Sequence, residues 1–439
     1  MHLHHWTRFL AAMTVAVAMT ATSVPVSRAA DESTNQVLEW NQILIDTLVL
    51  GNAVNAASPR LSAIVHTAIF DAYNGIERRY TPIYVRDAAP RGVSRRAAVI
   101  AAAYTTLHAL FPSRQPDLDA SYAASLAALS DDEDEDGGQS RERGIAWGVY
   151  VANAVLAWRA TDGFSSTPAA FRGGTAVGQW RPTPPAFASM ASQPLAFTQP
   201  FVLASAAHFR PPAPRGLLTS TYTDDFNAVK NLGRAAGSTR TDDQTALAPF
   251  WEGNASVHWN QAANQMARAH DLSMSKANRL LAVLNIAMAD TMFTTWSGKR
   301  YYGASDTDVT WRPIHAITLA DTDGNADTVA DPNWTPLLTT PSHPEFPAGH
   351  PSLNGAGATV LLSCFDDAQT FTLTTRTSAG VDLQPRTYYS ISQARSDGNN
   401  ARIWGGMHYP STVAISNQLG ATIANYINMT VMQPVREVK

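Results

Sequence analysis

The sequence is poor in several things. One cysteine, Cys364, stands among 439 residues, so no internal disulfide can form and packing must hold the fold. Cys364 lies in an apolar run and reads as a small core residue rather than a nucleophile. Charged residues make up only 15% of the chain and the formal net charge is -4. The basic excess that a nucleic-acid or membrane-surface protein uses is therefore missing. Strand-like alternation is scarce, with Thr370 to Thr375 the one short candidate. After residue 30 no apolar run approaches the length of a membrane-spanning helix, and no internal repeat is visible.

What is present begins with a targeting segment. Arg8 precedes an uncharged apolar run from Phe9 to Thr22, and Ser27-Arg28-Ala29-Ala30 offers small residues for cleavage. That run is short for a membrane span, so residues 1–30 read as a secretory signal and the mature chain as secreted or periplasmic. Residues 31–215 form an N-terminal helical half, in which Ile64, Ala68 and Ala72 recur every four residues and Ala97 to Leu110 is rich in alanine. The acidic run Asp131 to Asp136 reads as a solvated loop. Eight prolines between Pro182 and Pro214 defeat regular helix there. Interleaved Trp180, Phe187, Phe197, Phe201 and Phe209 make that stretch a crossing segment packed on the body. In residues 216–439 three apolar stripes recur at helical spacing: Leu281, Leu284, Met288, Met292 and Trp296; Leu353, Ala356, Val360 and Cys364; Ile415, Leu419, Ile423 and Ile427. The expected fold class is all-α, two four-helix-bundle-like halves with the site in the C-terminal one.

Each of those three helices carries a polar cluster at one end. Lys299 follows Trp296, with Trp311-Arg312-Pro313 beyond it. Phe346-Pro347-Ala348-Gly349-His350-Pro351 precedes Leu353, and Arg402 to Ser411, including His408, precedes Ile415. A helix N-terminus offers unpaired backbone N–H groups to an anion, with Pro351 expected at the first helical position. Two arginines can fork onto oxyanion oxygens, a lysine adds a compact charge, and two histidines can coordinate or move protons. The set suits a tetrahedral oxyanion.

The order Lys299, Arg312-Pro313, Pro347-Ala348-Gly349-His350, then Arg402 with His408 six residues later resembles the signature of vanadium-dependent haloperoxidases and the related acid phosphatases. Phe70 to Ile76, Phe209 to Pro212 and Asp331 to Pro336 are similar to segments of the bacterial haloperoxidase-like branch. The resemblance implies vanadate as cofactor, with His408 as its apical ligand to vanadium, or as the phosphohistidine nucleophile of a phosphatase. It implies His350 as acid–base residue, and Lys299, Arg312, Arg402 and the Gly349 N–H around the equatorial oxygens. It further implies that hydrogen peroxide oxidises a halide to a hypohalous species, with Lys299 polarising the peroxide and an organic molecule as a further acceptor. His343, seven residues before His350, stands where the family has Phe in chloroperoxidases and His in algal bromoperoxidases, which favours bromide or iodide.

Three departures from the family pattern stand out. Ala348 replaces a serine whose hydroxyl is worth about 1 kcal/mol to the oxyanion. Gly303 to Asp308 lengthens the gap after Lys299, leaving open whether Lys299 or Arg300 reaches the site. Thr412 replaces an aspartate that supports the second histidine, leaving the orientation of His408 open. Asp321 to Asp327 has alternating oxygen ligands but lacks the glycine and glutamate positions of a calcium loop and reads as a polar turn. His66, His108, His258 and His315 read as packing or surface residues. A secreted acid phosphatase and a non-catalytic phosphate- or vanadate-binding homologue remain as alternatives. No nucleic acid is expected, and a homo-oligomer is left open.

Overall fold

The apolar periodicities become thirteen α-helices in a computed structural model, which describes residues 35–129, 138–377 and 380–435. The targeting segment and the acidic run lie outside the described residues. The N-terminal helices are α1 (Gln36–Leu50), α2 (Ser58–Glu77), α3 (Arg95–Leu110), α4 (Gln115–Ala127) and α5 (Gln139–Ala160). After the crossing segment come α6 (Ser220–Leu232), α7 (Asp242–Phe250), α8 (Ala255–Ala269), α9 (Met274–Tyr302) and α10 (Pro313–Thr318). Then follow α11 (Gly349–Leu362), α12 (Ile391–Trp404) and α13 (Pro410–Thr430). Among the described residues the only sheet is an antiparallel ribbon of β1 (Phe371–Leu373) and β2 (Arg386–Tyr388). The fold class is all-α, and β1 falls within the one expected strand.

Helix α9 is the axis. It is buried almost all round, as a helix at the centre of a bundle must be, and Leu281, Leu284 and Met288 are fully buried. It packs against α2 of the N-terminal half and against α11 and α13 of the C-terminal half. Residues from Asn35 onward form one compact unit around it.

The crossing segment is tied to that axis by a buried carboxylate. Asp290 of α9 accepts the backbone N–H groups of Phe201, Val202 and Leu203 at 2.6, 2.9 and 3.0 Å. No α-helix forms between Ala160 and Ser220. Trp180 and Phe201 are buried as expected, whereas Phe187 and Phe197 lie on the surface. Asp71 of α2 does the same for the chain after its helix, accepting N–H from Ile83, Tyr84 and Val85. The Phe70 to Ile76 segment thus has a structural task.

Two sequence expectations need correction. Cys364 is exposed. Helix α11 ends at Leu362, so the four-residue spacing that pointed Cys364 inward stops one step short, and Phe365 takes the buried position instead. Helix α11 also starts at Gly349, which makes Pro351 its third residue rather than its first. In the turn at 321–327 the side chains serve the chain itself: Asp323 accepts from Asn325 N–H and the Thr328 hydroxyl at 2.7 Å each.

Candidate active site

Four chain segments bring the site together because each ends a helix there. Lys299 sits in the last turn of α9, Arg312 is the N-cap of α10, and Gly349 and His350 are the first two residues of α11. Arg402 lies in the last turn of α12, and His408 follows four residues after that helix ends. The loop carrying His408 turns at Gly406, whose φ is +76°. A side chain there would meet the Gly233 carbonyl at 2.6 Å, so only glycine lets the two backbones approach.

A cavity of about 230 Å³ opens among these helix ends. Its wall contains Gly349, His350, Arg402, His408 and His343, with Trp296, Met292 and Leu353 as the apolar part and Glu252 at one side. Lys299 and Arg312 stand behind this wall, fully buried. All seven residues singled out from the sequence therefore meet in one place. Of Lys299 and Arg300, it is Lys299 that turns toward the segment carrying His343 and Glu345. The Lys299 ammonium donates to the Pro344 and Glu345 carbonyls at 2.6 and 3.1 Å, whereas Arg300 lies over the Phe171 ring. The lengthened loop after Lys299 docks away from the cavity, where Gln179 donates to the Asp306 carboxylate at 2.9 Å.

Arg312 organises two histidines. Its Nε donates to the His343 carbonyl at 2.9 Å and its Nη2 to His343 Nδ1 at 2.8 Å. Its Nη1 donates to the Met407 carbonyl at 2.8 Å and to His408 Nε2 at 3.1 Å. Guanidinium has no acceptor, so His343 Nδ1 and His408 Nε2 must both be unprotonated. His343 is thus part of the cavity wall and not a solvent-exposed loop residue. His350 Nε2 donates to the Gly253 carbonyl at 3.2 Å, which leaves its Nδ1 as an acceptor.

Two acidic residues were missed in the sequence, Glu252 at the cavity wall and Glu345 behind it. Glu345 is fully buried, and its Oε1 accepts from His408 Nδ1 at 2.8 Å and from the Tyr409 N–H at 3.2 Å. Its Oε2 accepts from the Thr412 hydroxyl at 2.9 Å. A glutamate between two prolines reads as an exposed loop residue. The available clue was the missing aspartate at position 412, which implied a carboxylate from elsewhere.

The electrostatics are those of an anion site. Three cations, Lys299, Arg312 and Arg402, are buried together with the carboxylate of Glu345. Burial pushes Arg312 down to about 9 and Arg402 down to about 10, and it holds Lys299 well below the usual lysine range with Arg312 adding to the effect. Burial, with Arg402 second, pushes His350 down to about 3. His408 is held well below 6.5 by burial and by Arg312, Lys299 and Arg402, and His343 by burial, Lys299 and Arg312. Glu345 is raised to about 7 by burial against the pull of Arg312 and Lys299.

The donor set fits an oxyanion such as vanadate. Arg402 Nε and Nη1 are buried without a hydrogen-bond partner. An ammonium has three N–H groups, and two of those on Lys299 are engaged. The N–H groups of Gly349 and His350 lie in the first turn of α11, where no intrahelical acceptor exists. A side chain on Gly349 would press on the Trp296 ring at 3.2 Å, so the glycine keeps that wall open. The wall also continues outward: Val54, Asn55 and Glu252 are shared with a wider groove of about 800 Å³.

Residues 279–437 match the family model of the VCPO second helical-bundle domain. No curated protein matches the chain in sequence. Among solved structures, the first bacterial vanadium-dependent iodoperoxidase is similar with a TM-score of 0.74 and 21% identity, over 92% of this chain and 98% of that one. The holo form of a bacterial vanadium-dependent chloroperoxidase is similar at 0.65 and 16% identity, over 87% and 93% of the two chains. An apo form of such a chloroperoxidase gives 0.62 at 16% identity, over 85% and 92%. Residues 279–437 thus match the VCPO second helical-bundle domain, and the chain as a whole has the fold seen in the bacterial vanadium-dependent iodo- and chloroperoxidases.

Proposed function

We propose that the protein is a vanadate-dependent haloperoxidase that uses hydrogen peroxide to oxidise a halide, with bromide or iodide favoured over chloride. The observation that carries this reading is the Arg402 guanidinium, buried with two unpartnered nitrogens in a cavity that His408 also lines, its Nε2 lone pair held by Arg312 until a ligand takes it. Glu252 lies near enough to offset part of this charge, but a buried cation without a hydrogen-bonded carboxylate is costly unless a ligand pairs with it. The signature in the sequence and the fold of the bacterial iodo- and chloroperoxidases support the same reading.

The residues divide the work by their chemistry. His408 offers Nε2 as a ligand, with its other nitrogen fixed by Glu345. Arg402, the third Lys299 N–H, the remaining Arg312 N–H and the α11 N-terminus hold negative oxygens. Vanadate bound there supplies a Lewis acid that activates peroxide toward a halide without changing its oxidation state. His350 Nδ1 is an acceptor at the wall and takes or returns a proton there. A bound oxyanion offsets the Arg402 charge that depresses His350, which moves its pKa back toward the working range. Trp296, Met292 and Leu353 give the cavity its apolar wall, which limits the water beside a bound anion. His343 stands beside the Trp296 ring at 5.2 Å between centroids, close to where a halide would approach. The shared wall with the wider groove gives an organic acceptor a route to the hypohalous product. In that transfer the halogen–oxygen bond breaks, a carbon–halogen bond forms, and the displaced proton leaves with the hydroxide as water. The signal segment supports export as the setting for this chemistry.

A phosphatase on the same residues, with His408 as nucleophile and His350 as proton donor, is the second reading. One titration separates them. Vanadate should switch on bromination of a phenol dye, or triiodide formation from iodide, in the presence of peroxide. For a phosphatase, vanadate should instead inhibit aryl phosphate hydrolysis. No halide oxidation at saturating vanadate would sink the proposal.

A further inference from the structure

We propose that Glu345, clamped by Thr412, is the positioning carboxylate that fixes His408 for oxyanion binding, in place of the aspartate that this chain lacks at position 412. The inference rests on the oxyanion reading of the site and deepens it by naming what makes His408 fit to bind the anion. Several observations support it. The Glu345 backbone is fixed at both ends, its N–H donating to the Thr310 carbonyl at 2.9 Å and its own carbonyl accepting from Lys299. Its side chain accepts from the His408 ring, the Tyr409 N–H and the Thr412 hydroxyl. One residue thus links the lysine and the histidine on opposite sides of the cluster. Glu345 is 0% and Thr412 3% exposed, so neither bond competes with water.

The chemistry follows from the tautomer. With Arg312 donating to Nε2, the ring proton sits on Nδ1 and points at Glu345 Oε1. A carboxylate on Nδ1–H makes Nε2 a stronger electron-pair donor, the same device that orients histidines at metal centres. Thr412 is then not a loss. Its hydroxyl occupies the place of an aspartate side chain and instead holds the glutamate that reaches in from the loop before α11.

The test pairs two readouts on the full-length protein. Vanadate affinity is measured by equilibrium titration of tryptophan fluorescence, and the His408 tautomer by ¹⁵N chemical shifts of the ligand-free protein. Glu345→Gln keeps the shape and removes the charge, and should weaken vanadate binding by about ten- to a hundred-fold with the Nδ1 resonance displaced. Thr412→Val removes only the clamp and should shift both readouts in the same direction by less. Glu345→Gln/Thr412→Asp returns a carboxylate beside the glutamine amide and should recover most of the affinity. Should Glu345→Gln not fold, Thr412→Val and the ¹⁵N shifts of wild type still decide the matter. Wild-type affinity and an unmoved Nδ1 resonance in Glu345→Gln or Thr412→Val would overturn the proposal. If wild type itself binds no vanadate, the oxyanion reading fails, and the ¹⁵N shifts alone judge the role of Glu345.

Discussion

Replacing Arg402 with methionine should make the ligand-free protein more stable and the anion site far weaker. Arg402 is 2% exposed and has two nitrogens without partners. Burial lowers its pKa to about 10. A guanidinium is charged at neutral pH in both the folded and unfolded states, so this depression is a full cost to the fold at pH 7, roughly 3 kcal/mol by linkage. Methionine keeps the length and apolar stem but removes the charge, so Arg402→Met should recover part of that cost, about 1–3 kcal/mol. The same change removes charge-assisted hydrogen bonds to the bound anion. At about 1.5–3 kcal/mol each, losing even two of them weakens vanadate binding by at least roughly a hundred-fold. Urea unfolding in a buffer free of phosphate and vanadate measures the first effect, and a vanadate titration measures the second. Saturating vanadate should narrow or reverse the stability difference, since wild type gains more from the ligand by about 2.7 kcal/mol for a hundred-fold tighter affinity. A less stable ligand-free Arg402→Met that binds vanadate like wild type would refute the claim that this guanidinium is held for an anion.

Other perturbations have defined signs. His258 is fully buried with neither ring nitrogen hydrogen-bonded and its ring stacked on Phe250, and burial pushes its pKa down to about 3. The unfolded chain therefore takes up a proton below pH 6.5 that the folded chain refuses until about pH 3. His258→Phe should widen its stability advantage over wild type by about 1.4 kcal/mol per pH unit across that window, as read from urea midpoints at pH 7 and pH 5; a constant difference would show that the imidazole is not held neutral. Gly406→Ala forces a side chain against the Gly233 carbonyl at a positive φ. It should lower stability by about 2 kcal/mol or more and weaken vanadate binding through the His408 loop. Asp290→Ala removes the acceptor of three N–H groups and should expose the stretch around Phe201 to limited proteolysis. His343→Phe takes an acceptor from Arg312 Nη2 and should alter the ratio of kcat/KM for iodide and bromide to that for chloride, while vanadate affinity changes by less than it does in Arg402→Met.

How much was visible in the sequence depended on what kind of interaction placed each residue. The long helices were legible because their apolar spacing is local: the stripe from Leu281 to Trp296 marks α9 directly. The residues gathered at the cavity were legible because helix ends, glycines and prolines mark where polar groups converge. The boundaries were less so. Pro351 suits a first helical position, yet tertiary packing starts α11 at Gly349. Cys364 followed the right period past the point where the helix stops. The Glu345 bond to His408 spans 63 residues of chain and has no local signature. Glu252 was equally silent, since a glutamate after α7 acquires its place at the cavity only when α8 and α11 pack together. The lengthened loop after Lys299 looked like an obstacle in one dimension. In three it bulges onto the crossing segment and leaves the ammonium in place.

The central claim is that these helix ends form one vanadate site ligated through His408. Equilibrium vanadate binding to wild type and to His408→Ala, followed by ⁵¹V NMR or dialysis, tests it most directly. The account predicts one bound vanadate per wild-type chain and loss of that binding in the variant. Equal binding by the two proteins would contradict it.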